Sequence, residues 1–71
     1  MTTNDIKLLD VVALTVDLPA ENLKRGQVGT VVEILASGKA FEVEFSDNQG
    51  QTYASLGLRP SQLMVLHFQP V

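Results

Sequence analysis

Hydrophobic and polar positions alternate most clearly from Ala40 to Ser46, where Phe41, Val43 and Phe45 point one way and Glu42 and Glu44 the other. Side chains on a strand repeat every second residue, so this is a half-buried antiparallel strand with one wet face. The same period puts Val12, Leu14 and Val16 on the core side of a strand over Val11 to Val16, with Val11, Ala13 and Thr15 opposite. Val28 to Leu35 is a β-branched run that predicts another strand, with Val31 and Leu35 on the face opposite its core set. Gln51 to Leu58 predicts a weaker strand, interrupted by Ser55 and Gly57. Met64 to Phe68 predicts a fifth, ended by Gln69-Pro70-Val71. Ile6, Leu8 and Leu9 read as an irregular lead-in covering one end of the core.

The connections are as informative as the strands. Asp17 to Gly26 is long for a compact domain, and Pro19 and Gly26 break any regular structure within it. Leu18 and Leu23 tuck this loop back against the core, and loops of this length commonly carry function. Gly26 and Gly29 flank the turn that launches the Val28 strand, while Gly38 and Gly50 mark the two later turns. Asp47-Asn48-Gln49-Gly50 has the Asp-first, Gly-last pattern of a type I hairpin turn. Arg59-Pro60-Ser61-Gln62-Leu63 predicts a 3₁₀ turn, since proline fixes φ and the next strand follows at once. Five short strands in this order predict an all-β fold: a small SH3-like five-stranded barrel with a 3₁₀ turn before its last strand. An OB-like barrel would need a helix between its third and fourth strands, and Asp47 to Gly50 leaves no room for one. The whole chain, residues 1–71, reads as a single domain with a core over about 6–68.

Composition narrows the chemistry. A 71-residue chain has a thin stability margin and usually leans on a staple, a partner or very regular packing. With no cysteine there are no disulfides or thiolate metal sites, and the single histidine, His67, cannot build a His-based cluster. Five Lys and Arg against eight Asp and Glu give a net charge of -3, which disfavours nucleic acid and anionic membranes. No apolar run approaches the roughly 20 residues of a membrane span. The polar Met1-Thr2-Thr3-Asn4-Asp5 start has neither the basic nor the apolar region of a signal peptide, so the expected location is cytoplasmic.

The runs Leu8-Leu9-Asp10-Val11-Val12-Ala13-Leu14, Gly26-Gln27-Val28-Gly29-Thr30-Val31-Val32-Glu33, Phe41-Glu42-Val43-Glu44-Phe45 and Pro60-Ser61-Gln62-Leu63 resemble one family of small bacterial proteins, mainly cyanobacterial. That family is known as domain of unknown function 4926. The resemblance implies an SH3-like fold and brings no activity or site residue with it. The turn into the Val28 strand is also similar to the KOW motif of some ribosomal and transcription proteins, through its glycine and a few aliphatics.

No catalytic constellation is legible. His67 reads as a strand residue near the surface, and Glu42 and Glu44 as a solvated face. Asp47 to Gly50 lacks the repeated carboxylates of a calcium loop, and Gly26 and Gly29 lack the Lys and Ser or Thr of a phosphate loop. The expectation is a non-catalytic module without cofactor or metal. Polyproline recognition needs an aromatic-lined groove, whereas this chain has no Trp, one Tyr and three Phe, two of them on a core face. A protein partner, or a second copy paired through a strand edge, is therefore expected to meet the first loop through Leu18, Leu23, Lys24, Arg25 and Tyr53. The alternative is an RNA- or DNA-binding barrel using Lys24, Arg25 and Lys39. Val11, Ala13, Val31 and Leu35 are left either to a second covered face or to an apolar partner patch.

Overall fold

The computed structural model describes residues 6–67, so Phe68, expected in the last strand, lies outside the described residues. The strands are β1 (Val11–Leu14), β2 (Val28–Leu35), β3 (Ala40–Ser46), β4 (Thr52–Leu58) and β5 (Leu63–Val65). They form one antiparallel sheet in the order β4-β3-β2-β1-β5. A 3₁₀ turn over Pro60–Gln62 leads into β5 as expected, and two more short turns of this kind cover Pro19–Glu21 and Ala36–Gly38. The arrangement fits a small SH3-like fold, but the ladder is not closed into a barrel, and β4 and β5 remain its two edges. Three residues of β5, all committed to β1, are too few to present a second ladder to β4.

Strand starts have a shared cause. Lys7 N–H donates to Asp10 Oδ2 at 2.8 Å, Lys24 N–H to Gln27 Oε1 at 2.6 Å and Arg59 N–H to Gln62 Oε1 at 2.8 Å. In each turn the acceptor residue's own N–H returns to the first residue's carbonyl, at 3.0, 3.0 and 2.9 Å. The turn is thereby closed from both sides, and β1, β2 and β5 each begin at the next residue. Asp47 does the same for the β3–β4 hairpin, its Oδ1 accepting from the N–H groups of Gln49 and Gln51.

Phe41, Val43 and Phe45 all face the core, at 2%, 0% and 0% exposure. Register then decides which residues of the neighbouring strands join them. Gly29 lies opposite Phe45 and Val31 opposite Val43, so Val31 is core and the alternate set, Val28 and Thr30, faces outward. Val31 and Ala13 are thus not open to a partner, at 0% and 5% exposure, while Val11 and Leu35 are half-buried. The sequence pattern had the wrong parity for β2 because both of its faces carry aliphatics. An irregularity between Val31 and Glu33 then shifts the phase, and Ile34, opposite Phe41, overhangs the core edge at 47% exposure.

The ends of the chain pattern are corrected too. β1 stops at Leu14 and Val16 is exposed, although Thr15 N–H still reaches Gln62 O in register with the β1–β5 ladder. β5 begins at Leu63, one residue early, and Leu66 and His67 lie beyond it. Leu8 and Leu9 do not cover the core. Leu9 has φ 71°, which turns the lead-in outward and leaves it 70% exposed, while Ile6 packs against the core instead.

Gly26, Gly38 and Gly50 have positive φ, at 93°, 91° and 80°, and are turn glycines as expected, whereas Gly29, also expected in a turn, is the second residue of β2. Ala36 and Ser37 precede Gly38 with φ of 50° and 55°, a left-handed pair that costs each L-residue about 1 kcal/mol. Part of that is recovered in Ser37→Gly, after the larger chain entropy of glycine is subtracted. The expected gain is about 0.5 kcal/mol, read as a rise in the urea midpoint at constant slope.

Candidate functional site

The first loop is built as a closed turn rather than a slack connection. Leu18 and Leu23 pair backbone to backbone in both directions, at 2.9 and 3.1 Å, across the Pro19–Glu21 turn. Asn22 takes the left-handed position that closes it, with φ 61°, a conformation its short amide side chain tolerates. Leu23 is 2% exposed and part of the core cluster, and Leu18 packs against that cluster. Both leucines tuck the loop down as the sequence suggested. Leu23, expected as a contact residue, is committed inward and does not offer its side chain at the surface.

The far limb of the loop is pinned to the sheet. Asp17 Oδ1 accepts Arg25 N–H at 2.8 Å, and Gly26 N–H reaches Leu14 O at 2.8 Å. Gln27 is the keystone. Its Oε1 holds Lys24 N–H, and its Nε2 donates to the Tyr53 hydroxyl at 2.9 Å. Tyr53 is the extra residue at the register irregularity of the β3–β4 hairpin, between Thr52 paired with Ser46 and Ala54 paired with Phe45, and its ring lies 6.5 Å from that of Phe45, tilted by 39°. One side of the ring is therefore braced, its hydroxyl is fixed, and half of it (50%) remains open to water.

The structure thus joins Lys24 and Tyr53 through Gln27, with Arg25 next in the chain and both cations exposed. A cleft of about 310 Å³ beside them is lined by Asp17, Pro19, Asn22, Leu23 and Lys24. Lys39 is not part of this group. It follows the far end of β2, about 23 Å along the strand from Val28, and Arg59 follows β4 at that same far end, where Leu58 pairs with Phe41. Sequence reasoning missed Gln27. The available signal was its place three residues after Lys24 and directly before a strand, which Asp10 and Gln62 repeat at their own strand starts.

Gln27→Ala removes two side-chain hydrogen bonds from an exposed site. The expected loss is about 1 kcal/mol, with faster amide exchange confined to residues 24–27 while the β3 amides stay protected.

A second cleft, of about 710 Å³, lies between the Leu63–His67 segment and the side chains of Lys7, Asp10 and Thr15, and His67 is exposed at its end. Among the described residues, no group of three or more His, Cys, Asp or Glu is arranged to hold a metal ion. Nor is any helix among them long and apolar enough to cross a membrane.

Compared with known proteins, the chain matches one family model, described as Domain of unknown function (DUF4926), over residues 8–65. No curated protein and no solved structure matches it.

Proposed function

We propose that this chain, which belongs to the DUF4926 family of domains of unknown function, is a non-catalytic cytoplasmic binding module that holds a protein partner against its first loop and Tyr53. The observation that carries this reading is the fixed, half-exposed Tyr53 ring, tied through Gln27 to the backbone of a loop that carries two exposed cations. Aromatic and arginine side chains dominate the energetics of protein interfaces, and a side chain already held in place forfeits little entropy when a partner arrives. The closed loop supplies the same rigidity around it. In the test, tagged chain is incubated with native lysate, and the eluate is analysed for both protein and nucleic acid. A stoichiometric protein that disappears with Tyr53→Ala is the expected result, and recovery of none would sink the reading.

The second reading is single-stranded RNA or DNA. It is favoured by one observation, that Tyr53 offers a stacking surface joined through Gln27 to the loop that carries Lys24 and Arg25. The separation of Lys39 and the net charge of -3 weigh against it. It requires binding that weakens with salt and with Lys24→Glu and Arg25→Glu, so a mobility shift absent at low salt removes it.

A further inference from the structure

The outer face of the sheet is divided. Val12, Leu14, Gly29, Val31, Leu63 and Val65 belong to the core side, so their neighbours Val11, Ala13, Val28, Thr30, Met64 and Leu66 stand on the other. Register brings this set together. Ala13 pairs with both Val28 and Met64, and Val11 pairs with Thr30 and accepts Leu66 N–H at 2.9 Å. Val28 and Met64 are 46% and 54% exposed on either side of the covered Ala13. Apart from Thr30, everything on this part of β5, β1 and β2 is apolar. The next strand is acidic: Glu44 lies opposite Thr30, and Glu42 lies opposite Glu33. Like charges directly opposed across two strands destabilise a sheet, so the fold carries a cost that a cation would relieve.

We propose that this face is a docking site for a basic amphipathic α-helix of a partner protein, its apolar stripe on Val11, Val28 and Met64 across the covered Ala13 and its Lys or Arg flank on Glu33, Glu42 and Glu44. The dimensions agree. Three strands span two inter-strand spacings, about 10 Å, which is the width of one helix. Glu42 and Glu44 stand one further strand away, on β3, and Glu33 lies farther along β2 opposite Glu42, under the flank of a helix so placed. A sheet apolar on both faces is normally covered by a helix, and here the second face has the means to select a cationic one. A second copy of this chain is the poorer occupant. It would bring its own Glu33, Glu42 and Glu44 toward the first set, between molecules each carrying a net charge of -3.

This surface is separate from Tyr53, and the two are read by different signals. The probe is a Leu/Lys amphipathic peptide of about 18 residues, long enough to be helical, with a Leu/Glu peptide of the same pattern as control. Each is titrated into isotopically labelled protein and followed by amide chemical shifts. The Leu/Lys peptide is expected to shift the amides of Val11, Ala13, Val28, Glu44 and Met64, and to bind at least about tenfold more tightly than the Leu/Glu peptide. Met64→Lys, an exposed position on an edge strand, is expected to weaken that binding at least about tenfold with the spectrum otherwise unchanged. Glu44→Gln supplies an independent variant and should weaken binding and flatten its salt dependence. Shifts centred on Lys24 to Tyr53, equal affinity for the two peptides, no binding, or a dimeric mass for the chain alone would each overturn the proposal. None of those outcomes bears on whether Tyr53→Ala loses a captured protein.

Discussion

Phe45→Ala is expected to cost about 4 kcal/mol and to leave the domain largely unfolded near room temperature. The ring is fully buried and among the largest such side chains in the chain. It fills the space opposite Gly29, touches Ala54 through register and braces Tyr53. Truncation removes apolar surface and leaves a cavity that strands on both sides are too constrained to close. A domain of this length has only about 4–10 kcal/mol of stability in total, so one such loss uses most of it. Equilibrium urea unfolding followed by circular dichroism measures the change. A loss under about 1 kcal/mol would mean that the β3 face is not the core.

Gly29→Ala is the second large effect, and it comes from adding atoms. A Cβ at Gly29 would lie 2.7 Å from Glu44 O, 2.7 Å from Val43 Cγ1 and 3.0 Å from Phe45 Cδ1. The first is backbone and the other two belong to fully buried core side chains, so β2 and β3 must separate to admit it. The expected cost is about 3 kcal/mol, at the upper end of overpacking penalties. For a domain of this size that is a fall in Tm of about 15 °C or more. Gly57→Ala is the matched control. Its added Cβ would meet Leu35 Cδ1 at 3.5 Å and Glu42 Oε1 at 3.8 Å, which is ordinary contact. That variant is expected to be neutral or slightly stabilising, since alanine loses less backbone entropy.

These two variants mark what the sequence made legible. The β3 face could be read directly because glutamates separate its three core residues. The family match over residues 8–65 agrees with the resemblance carried by the glycine turn and the Val-Glu-Phe strand. β2 could not be read the same way. Val28, Thr30, Val32 and Ile34 outnumber Val31 and Leu35 as aliphatic and β-branched candidates, and only the bulk of Phe45 on the partner strand explains why the face bearing a glycine is inward. The irregularity at Val32 depends on that pairing as well. The consequence for function is direct. Val31 was a candidate surface residue and is core, whereas Val28 and Met64 became the outer apolar face.

At the first loop, position in the chain suggested Lys24, Arg25 and Tyr53, and the fold adds the reason that two of them belong together. Gln27 reads as one polar residue in a turn until the β3–β4 hairpin brings Tyr53 within hydrogen-bonding distance. Leu23 shows the opposite case. An apolar residue on a loop resembles a contact residue in sequence, yet the Leu18–Leu23 pairing turns it into the core.

The most direct measurement is the affinity of the captured, purified partner for wild type, Tyr53→Phe and Tyr53→Ala, by calorimetry, with Tm recorded for each. A half-exposed ring contributes little to folding, so Tm should move by only a few degrees, about 1 kcal/mol or less. A protein interface anchored on Tyr53 predicts at least about tenfold weaker binding for Tyr53→Ala and a smaller loss for Tyr53→Phe, which keeps the ring. Equal affinity across all three proteins would contradict it.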